Sequence, residues 1–142
     1  MGRRLLLFRA AGTACAVDLE TVREIVRGRP LARLPGAPAW VRGIMNLRGT
    51  LITVVDLSVR LGSPQGAPPR VIIVVEGAGK RFGLGVESVQ GVADVADEAI
   101  ESLDAQRNSG GVVGALAHLP EADGGTAQWC WVEAIAHEAL AR

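Results

Sequence analysis

The sequence predicts an all-β fold with short helices, arranged as two small five-stranded barrel lobes. Three observations carry that reading. Eighteen glycines and seven prolines cut 142 residues into short apolar runs, which favours strands and turns over long helices. The best-patterned runs alternate with period two, as half-buried strands do. The segment Gly62–Pro69, GSPQGAPP, divides the chain nearly in half, with about five strand-length runs and one helical segment on each side. A chain of this length makes one domain or two very small lobes sharing a core. The expected organisation is a single domain over residues 1–142, with lobes at 10–62 and 70–142, a linker at 62–69, and an N-terminal strand assignable to either lobe.

Each element has a local reason. Leu5–Arg9 and Thr13–Asp18 flank Ala11-Gly12, a hairpin signature. Asp18 is placed to cap one helical turn over Leu19–Val22. Glu24–Arg29 returns to extended chain, with Glu24 and Val26 on one side and Ile25 and Arg27 on the other, until Pro30 ends it. The Pro-rich bend at 34–38 feeds the run WVRGIMNL (40–47). Arg48-Gly49 joins it to TLITVVDL (50–57) in a second hairpin. In that run Ile52 and Val54 face one way and Leu51, Thr53 and Val55 the other, so the strand is expected to be buried on both sides and to join the lobes. Asp56 starts a short helix, Leu57–Leu61. After the linker, Arg70–Glu76 and Arg81–Val86 pair around Gly77-Ala78-Gly79, with Phe82, Leu84 and Val86 inward and Arg81, Gly83 and Gly85 outward. Val89–Val95 is a further strand and Asp97–Gly111 an acidic surface loop. Val112–Leu119 and Ala127–Val132 are the closing strands, joined through Glu121–Gly125. The helix Ala134–Arg142 follows, with Val132, Ile135, Ala139 and Leu140 on one face.

Composition bounds the function. No apolar run approaches the roughly 20 residues a membrane-spanning helix needs. Arg3 and Arg4 before Leu5–Phe8 resemble the start of a signal peptide, but Arg9 interrupts the run and no cleavage site follows. A cytoplasmic location without membrane insertion is expected. Cys15 and Cys130 lie far apart in apolar runs, as buried thiols rather than a disulfide framework. Residues 1–70 carry eleven Arg against four acids, a net +7, and residues 71–142 carry four basic residues against eleven acids, a net −7. Spatially distinct halves would form a dipole that orients protein partners and promotes head-to-tail self-association.

His118 and His137 are the two histidines, and neither has a partner at metal-ligand spacing. No nucleophile elbow, Walker or GxGxxG pattern occurs in a strand–helix setting. The acidic run Asp94, Asp97, Glu98, Glu101 and Asp104 lacks the ligand order of a calcium loop. The chain is thus expected to have no catalytic residues, cofactor or metal. Small-barrel nucleic-acid binding is the alternative of another class. Against it, the basic half offers only Phe8 and Trp40 for stacking, and the acidic half repels phosphate. Asn46 and Arg48 at a rigid corner have two readings: Asn46 bonds its own turn and Arg48 is solvated, or the corner is a docking feature.

The segments ETVREIV (20–26), LPGAPAWVRGIMNLRG (34–49), LITVVDL (51–57), VIIVVEGAGKRFGLGVESVQGV (71–92) and VVGAL (112–116) resemble, in order and spacing, the CheW-like adaptor domain of bacterial chemosensory systems. The resemblance covers about residues 5–117, and NLRG followed by VVDL is its most specific part. It implies two SH3-like β-barrels and a non-catalytic scaffold in two-component signal transduction. Such a scaffold couples chemoreceptors to a CheA-type histidine kinase in cytoplasmic arrays recruited to the membrane. Carried over by position, the receptor-binding residues would be Val22, Glu24, Gly43, Asn46, Arg48 and Gly49. A receptor's helical tip would lie in a groove between the lobes, anchored by Arg48, and the kinase regulatory domain would meet the barrel ends. The chain departs from the family at Thr53, where proline is usual, and in GGTAQWCWVEAIAHEAL (124–140). There Trp129 and Trp131 share a face, and either one or both close the barrel or they form a second partner surface. The departure leaves a divergent adaptor, binding receptor or another protein but not the kinase, as the alternative within the family.

Overall fold

The structure, a computed structural model, describes residues 2–103, 111–120 and 125–140. The N-terminal hairpin consists of β1 (Gly2–Ala10) and β2 (Thr13–Asp18). A 3-10 turn over Leu19–Thr21 leads into β3 (Val22–Arg27). The Asp18 carboxylate accepts from the Glu20 amide and caps that turn, as its position predicts. Then come β4 (Val41–Leu47), β5 (Thr50–Asp56), α1 (Leu57–Arg60), β6 (Val71–Gly77) and β7 (Lys80–Val86). The remainder is β8 (Ser88–Ala96), a 3-10 turn Asp97–Ala99, β9 (Ile100–Ser102), β10 (Val113–His118), β11 (Thr126–Cys130) and α2 (Val132–Leu140).

The strands form two sheets, in the orders β8-β1-β2-β11-β10-β9 and β3-β6-β7-β5-β4. Each sheet curls into a small SH3-like barrel. In the six-stranded sheet the terminal strands β8 and β9 are joined by a single 3-10 turn, which holds the two ends together. The five-stranded sheet closes where Ala32, in the chain after β3, bridges β4. The Ala32 amide donates to Ile44 O at 2.9 Å, and the Ile44 amide to Ala32 O at 2.8 Å. Gly43 permits this approach, since a Cβ there would sit 2.4 Å from the Ala32 carbonyl oxygen.

Several expectations are corrected. Residues 62–69 do not separate the sheets: β6 and β7, beyond that segment, pair with β3 and β5 before it. The five-stranded barrel is one continuous stretch, Val22–Val86, inserted between the N-terminal hairpin and β8–β11. The charge separation follows this nested division. Residues 22–86 hold ten Lys/Arg against three acids, a net +7, and the rest of the chain balances them at −7. The stretch expected as an acidic loop contains the 3-10 turn at 97–99 and β9, whose edge pairing with β10 adds a sixth strand; residues 104–110 of it lie outside the described residues. Most of the Glu121–Gly125 turn also lies outside them. The terminal helix begins earlier than expected, at Val132.

Three apolar cores explain the packing. Met45, Leu47, Ile52, Val54, Ile72 and Val74 fill the five-stranded barrel. Leu5, Leu7, Ala16, Ala93, Val95, Ala117 and Ala127 line the six-stranded one. A shared core between the barrels draws Phe8, Cys15 and Val17 from one sheet, Val55, Ile73, Phe82 and Leu84 from the other, and Ile135, Ala136 and Ala139 from α2. The expected doubly buried β5 holds at Ile52, Val54 and Val55, while Thr53 is only partly buried and Leu51, at the hairpin tip, is 71% exposed. On β7, Phe82, Leu84 and Val86 are buried as expected, but Gly83 and Gly85 are buried too. A Cβ at Gly83 would lie 2.7 Å from Ile72 Cγ2, and one at Gly85 2.4 Å from Pro69 Cγ. Their blank positions are occupied by neighbours, not by solvent.

The buried charge is also accounted for. Asp56, the one buried charged residue among those described, accepts from the Val59 amide at the start of α1 and pairs with Arg42 at 2.8 Å. Arg42 Nη2 donates onward to Gly66 O at 2.6 Å and pins the Pro-rich segment to β4.

Candidate docking site at the β4–β5 hairpin

Three two-residue turns in this chain share one backbone form. Ala11-Gly12, Arg48-Gly49 and Ala78-Gly79 all place both residues at positive φ, between 51° and 87°. Such mirror-image turns suit the twist of a hairpin but disfavour a side chain at the first position. Two of the three use alanine there. The third holds an arginine, whose guanidinium stands at the tip of the five-stranded barrel.

Local bonds fix the corner. Asn46 Oδ1 accepts from the Gly49 amide at 2.7 Å, so Asn46 does bond its own turn. Arg48 is not simply solvated. Its Nη1 donates to Glu24 Oε2 at 2.8 Å and its Nη2 donates to Glu24 Oε1, a two-point fork on β3. The Arg48 hydrogen bonds hold the Glu24 carboxyl below the ordinary carboxylate range, and Glu24 in turn raises the Arg48 guanidinium. Arg48 nonetheless keeps 70% of its side chain exposed. Fork and Ala32 bridge together tie β3 and its following segment to β4 and its hairpin.

The six residues expected to face a receptor do not all meet. Glu24, Asn46, Arg48 and Gly49 form one corner. Gly43 sits at the barrel closure. Val22 is partly buried and packs against the shared core. A bulge between Val22 and Glu24 shifts the pairing register, opposing Val22 to Val75 and Glu24 to Val74.

The two tryptophans line one cavity of about 200 Å³, together with Asp18, Thr21, Val132 and Glu133. Trp129 is partly buried against the alanine-rich core. The Arg3 guanidinium lies 5.5 Å from the centre of its ring and bonds Asp18 at 2.9 Å. Trp131 is 48% exposed. Its indole lies flat against Gly114, where a Cβ would fall 1.7 Å from the ring. Trp129 closes the barrel, as the reading that one or both tryptophans do so allows, and Trp131 faces outward.

Other chemistry-bearing groups have structural roles. His118 Nε2 lies 3.0 Å from Glu101 Oε1 and its Nδ1 3.3 Å from Thr126 Oγ1, an exposed link across β9, β10 and β11 that the apolar run around it concealed. His137 is exposed on α2. Cys15 and Cys130 are free and buried, as expected. A hydrogen bond with Cys15, and then burial, push the Cys130 thiol well above its ordinary value. Arg60 forks onto Glu138 at 2.8 Å and lies 5.8 Å from the Trp40 ring, linking α1 to α2. Among the described residues, no group of three His, Cys, Asp or Glu could hold a metal ion. No described helix is long and apolar enough to cross a membrane.

Two joined barrels, with a forked ion pair at the tip of one and an exposed indole on the other, define a double-barrel class of domain. Residues 4–140 match the CheW-like domain, and the chain belongs to that family. It is 38% identical over 102 residues to Chemotaxis protein CheW of Rhizobium meliloti (strain 1021), covering 70% of this chain and 66% of that protein. It is 37% identical over 101 residues to Probable chemotaxis protein CheW of Rhizobium etli, covering 70% and 65%. The aligned stretch thus spans just under two thirds of these curated relatives. Among solved structures, the scaffolding protein TtCheW from Thermoanaerobacter tengcongensis superposes with a TM-score of 0.79 at 26% identity, over 94% of this chain and 91% of that one.

Proposed function

We propose that this protein is a non-catalytic scaffold that couples chemoreceptors to a CheA-type histidine kinase, and that Arg48 is its receptor anchor. Support comes from the family and from relatives named as chemotaxis and scaffolding proteins. The observation that carries the site is the placement of an exposed arginine at a positive-φ turn position that alanine fills in the other two hairpins. Residues kept in unfavourable backbone regions cluster at functional sites. Glu24 holds the guanidinium in a forked pose suited to a carboxylate, and a receptor acid competes for that fork. Asn46 and Gly49 fix the corner, Gly43 fixes the barrel that carries it, and Val22 supports the base of β3 from the core. The receptor would be engaged at a membrane-associated array, and the kinase regulatory domain would contact the barrel ends.

The test is titration against a purified receptor tip and, separately, a kinase regulatory domain. Arg48→Glu is expected to weaken receptor binding at least tenfold and to leave kinase binding unchanged. The charge swap Glu24→Arg with Arg48→Glu keeps an internal pair but is expected not to restore the receptor. Unaltered receptor binding in Arg48→Glu refutes Arg48 as anchor. Binding to the receptor alone favours the divergent adaptor, and binding to neither, with salt-sensitive affinity for DNA or RNA instead, favours the nucleic-acid reading.

A further inference from the structure

The six-stranded barrel carries a recognition feature that the receptor corner does not use. Trp131 is half-exposed yet fixed at every level. Its amide donates to Val112 O at 2.8 Å, and its carbonyl accepts from the Ile135 amide at 3.2 Å. Its indole rests on the bare backbone of Gly114, a seat that any side chain at 114 would occupy. An exposed aromatic already held in one pose loses little entropy on binding, the property of an interface anchor.

The surroundings state what chemistry the groove accepts. Beside Trp129 the chain supplies its own cation, with the Arg3 guanidinium over the ring and paired with Asp18. Trp131 and Glu133 line the same cavity as a second indole and carboxylate. Glu133 makes no ion pair and Trp131 carries no cation over its face among the described residues. Outside residues 22–86 the described residues carry nine Asp or Glu against three Arg, and Asp18 and Glu133 stand in the cavity lining itself. A negative rim and an aromatic floor complement a positive side chain with an apolar stem.

We propose that the Trp129–Trp131 groove docks a basic segment of a protein partner, seating an arginine or lysine on the Trp131 indole against Glu133, with an apolar neighbour in the cavity beside it. This surface is made from elements other than the Glu24–Arg48 corner and does not depend on the receptor assignment.

The probe is a random dodecapeptide display library selected on the full chain, with counter-selection on Trp131→Ala. Peptides enriched on the wild-type chain alone are expected to carry Arg or Lys next to an apolar residue. In calorimetric titration with the best of them, changing its basic residue to Glu is expected to weaken binding at least tenfold. Glu133→Lys, a surface change that leaves the barrel intact should Trp131→Ala not fold, is expected to weaken it at least fivefold. Enrichment of acidic or wholly apolar peptides, binding indifferent to Glu133→Lys, or no enrichment overturns the proposal. Self-association in sedimentation that Trp131→Ala abolishes, without a basic peptide preference, overturns it in favour of a second copy as occupant.

Discussion

The five-stranded barrel fills its interior with Met45, Leu47, Ile52, Val54, Ile72 and Val74, whereas the six-stranded barrel lines its own with four alanines among seven residues. Both have a similar number of interior residues, yet the first buries many more methylenes, each contributing about 0.8 kcal/mol. The six-stranded barrel therefore leans on what it shares. Phe8, Cys15, Val17 and Cys130 turn away from the alanine core and into the common one, where Phe82, Leu84 and α2 meet them. The contrast teaches that the two barrels have unequal independence. One is a continuous segment with its own aliphatic filling, and the other is split in sequence and stabilised through its neighbour.

Breaking the shared core tests this most severely. Phe82→Ala, at a fully buried site, is expected to cost about 3–5 kcal/mol. In hydrogen exchange, β1, β2, β10 and β11 should lose protection before β4, β5 and β6; the opposite order reverses the comparison. Ile52→Ala, inside the five-stranded barrel, is expected to cost about 2–5 kcal/mol in urea unfolding, more than Ala117→Gly inside the other. Gly83→Ala pushes a methyl within 2.7 Å of Ile72 and should cost about 1–3 kcal/mol, since overpacking is resisted where the filling is dense. The smallest effect concerns the tie at the barrel tip. Glu24 titrates lower in the folded chain, so its contribution is present above the unfolded value of about 4.3 and is lost as pH falls through the folded one. Glu24→Gln should slightly lower stability at neutral pH and leave it unchanged in acid, so that part of the acid-side fall disappears, as thermal melts across pH will show.

Much of the fold was legible because its signals are local. A continuous apolar run located β6 and a period-two run β7, the residue-plus-glycine pairs located three hairpins, and Asp18 and Asp56 announced the turns they cap. The nested arrangement was not legible. It depends on a parallel pairing of Cys15 with Gln128, more than a hundred residues apart, which no local pattern records. Gly83 and Gly85 read as outward because a missing side chain leaves no trace of what fills its space. At the corner, Asn46, Arg48 and Gly49 stood out as a turn too heavily furnished. Their link to Glu24 spans another long loop, and the bulge that shifts the pairing of Val22 is a one-residue irregularity without a sequence mark. The role of Trp131 depends on Gly114, whose signal was only its lack of a side chain.

The insertion of one barrel inside the other bears on how the chain is made. During synthesis, the five-stranded barrel can close as soon as Val86 has emerged, because its partners all precede that point. The hairpin of β1 and β2 leaves the ribosome before that barrel, yet it must wait for β8 and then for β11, which ends some forty residues beyond Val86. At about 5–20 residues per second that delay is a few seconds, long compared with hairpin formation. Through most of it, an apolar hairpin with its β2 edge unpaired stays tethered to a finished basic barrel. Nascent molecules crowded on one message are at their most adhesive in that interval, so the risk to yield lies with the hairpin made ahead of the barrel.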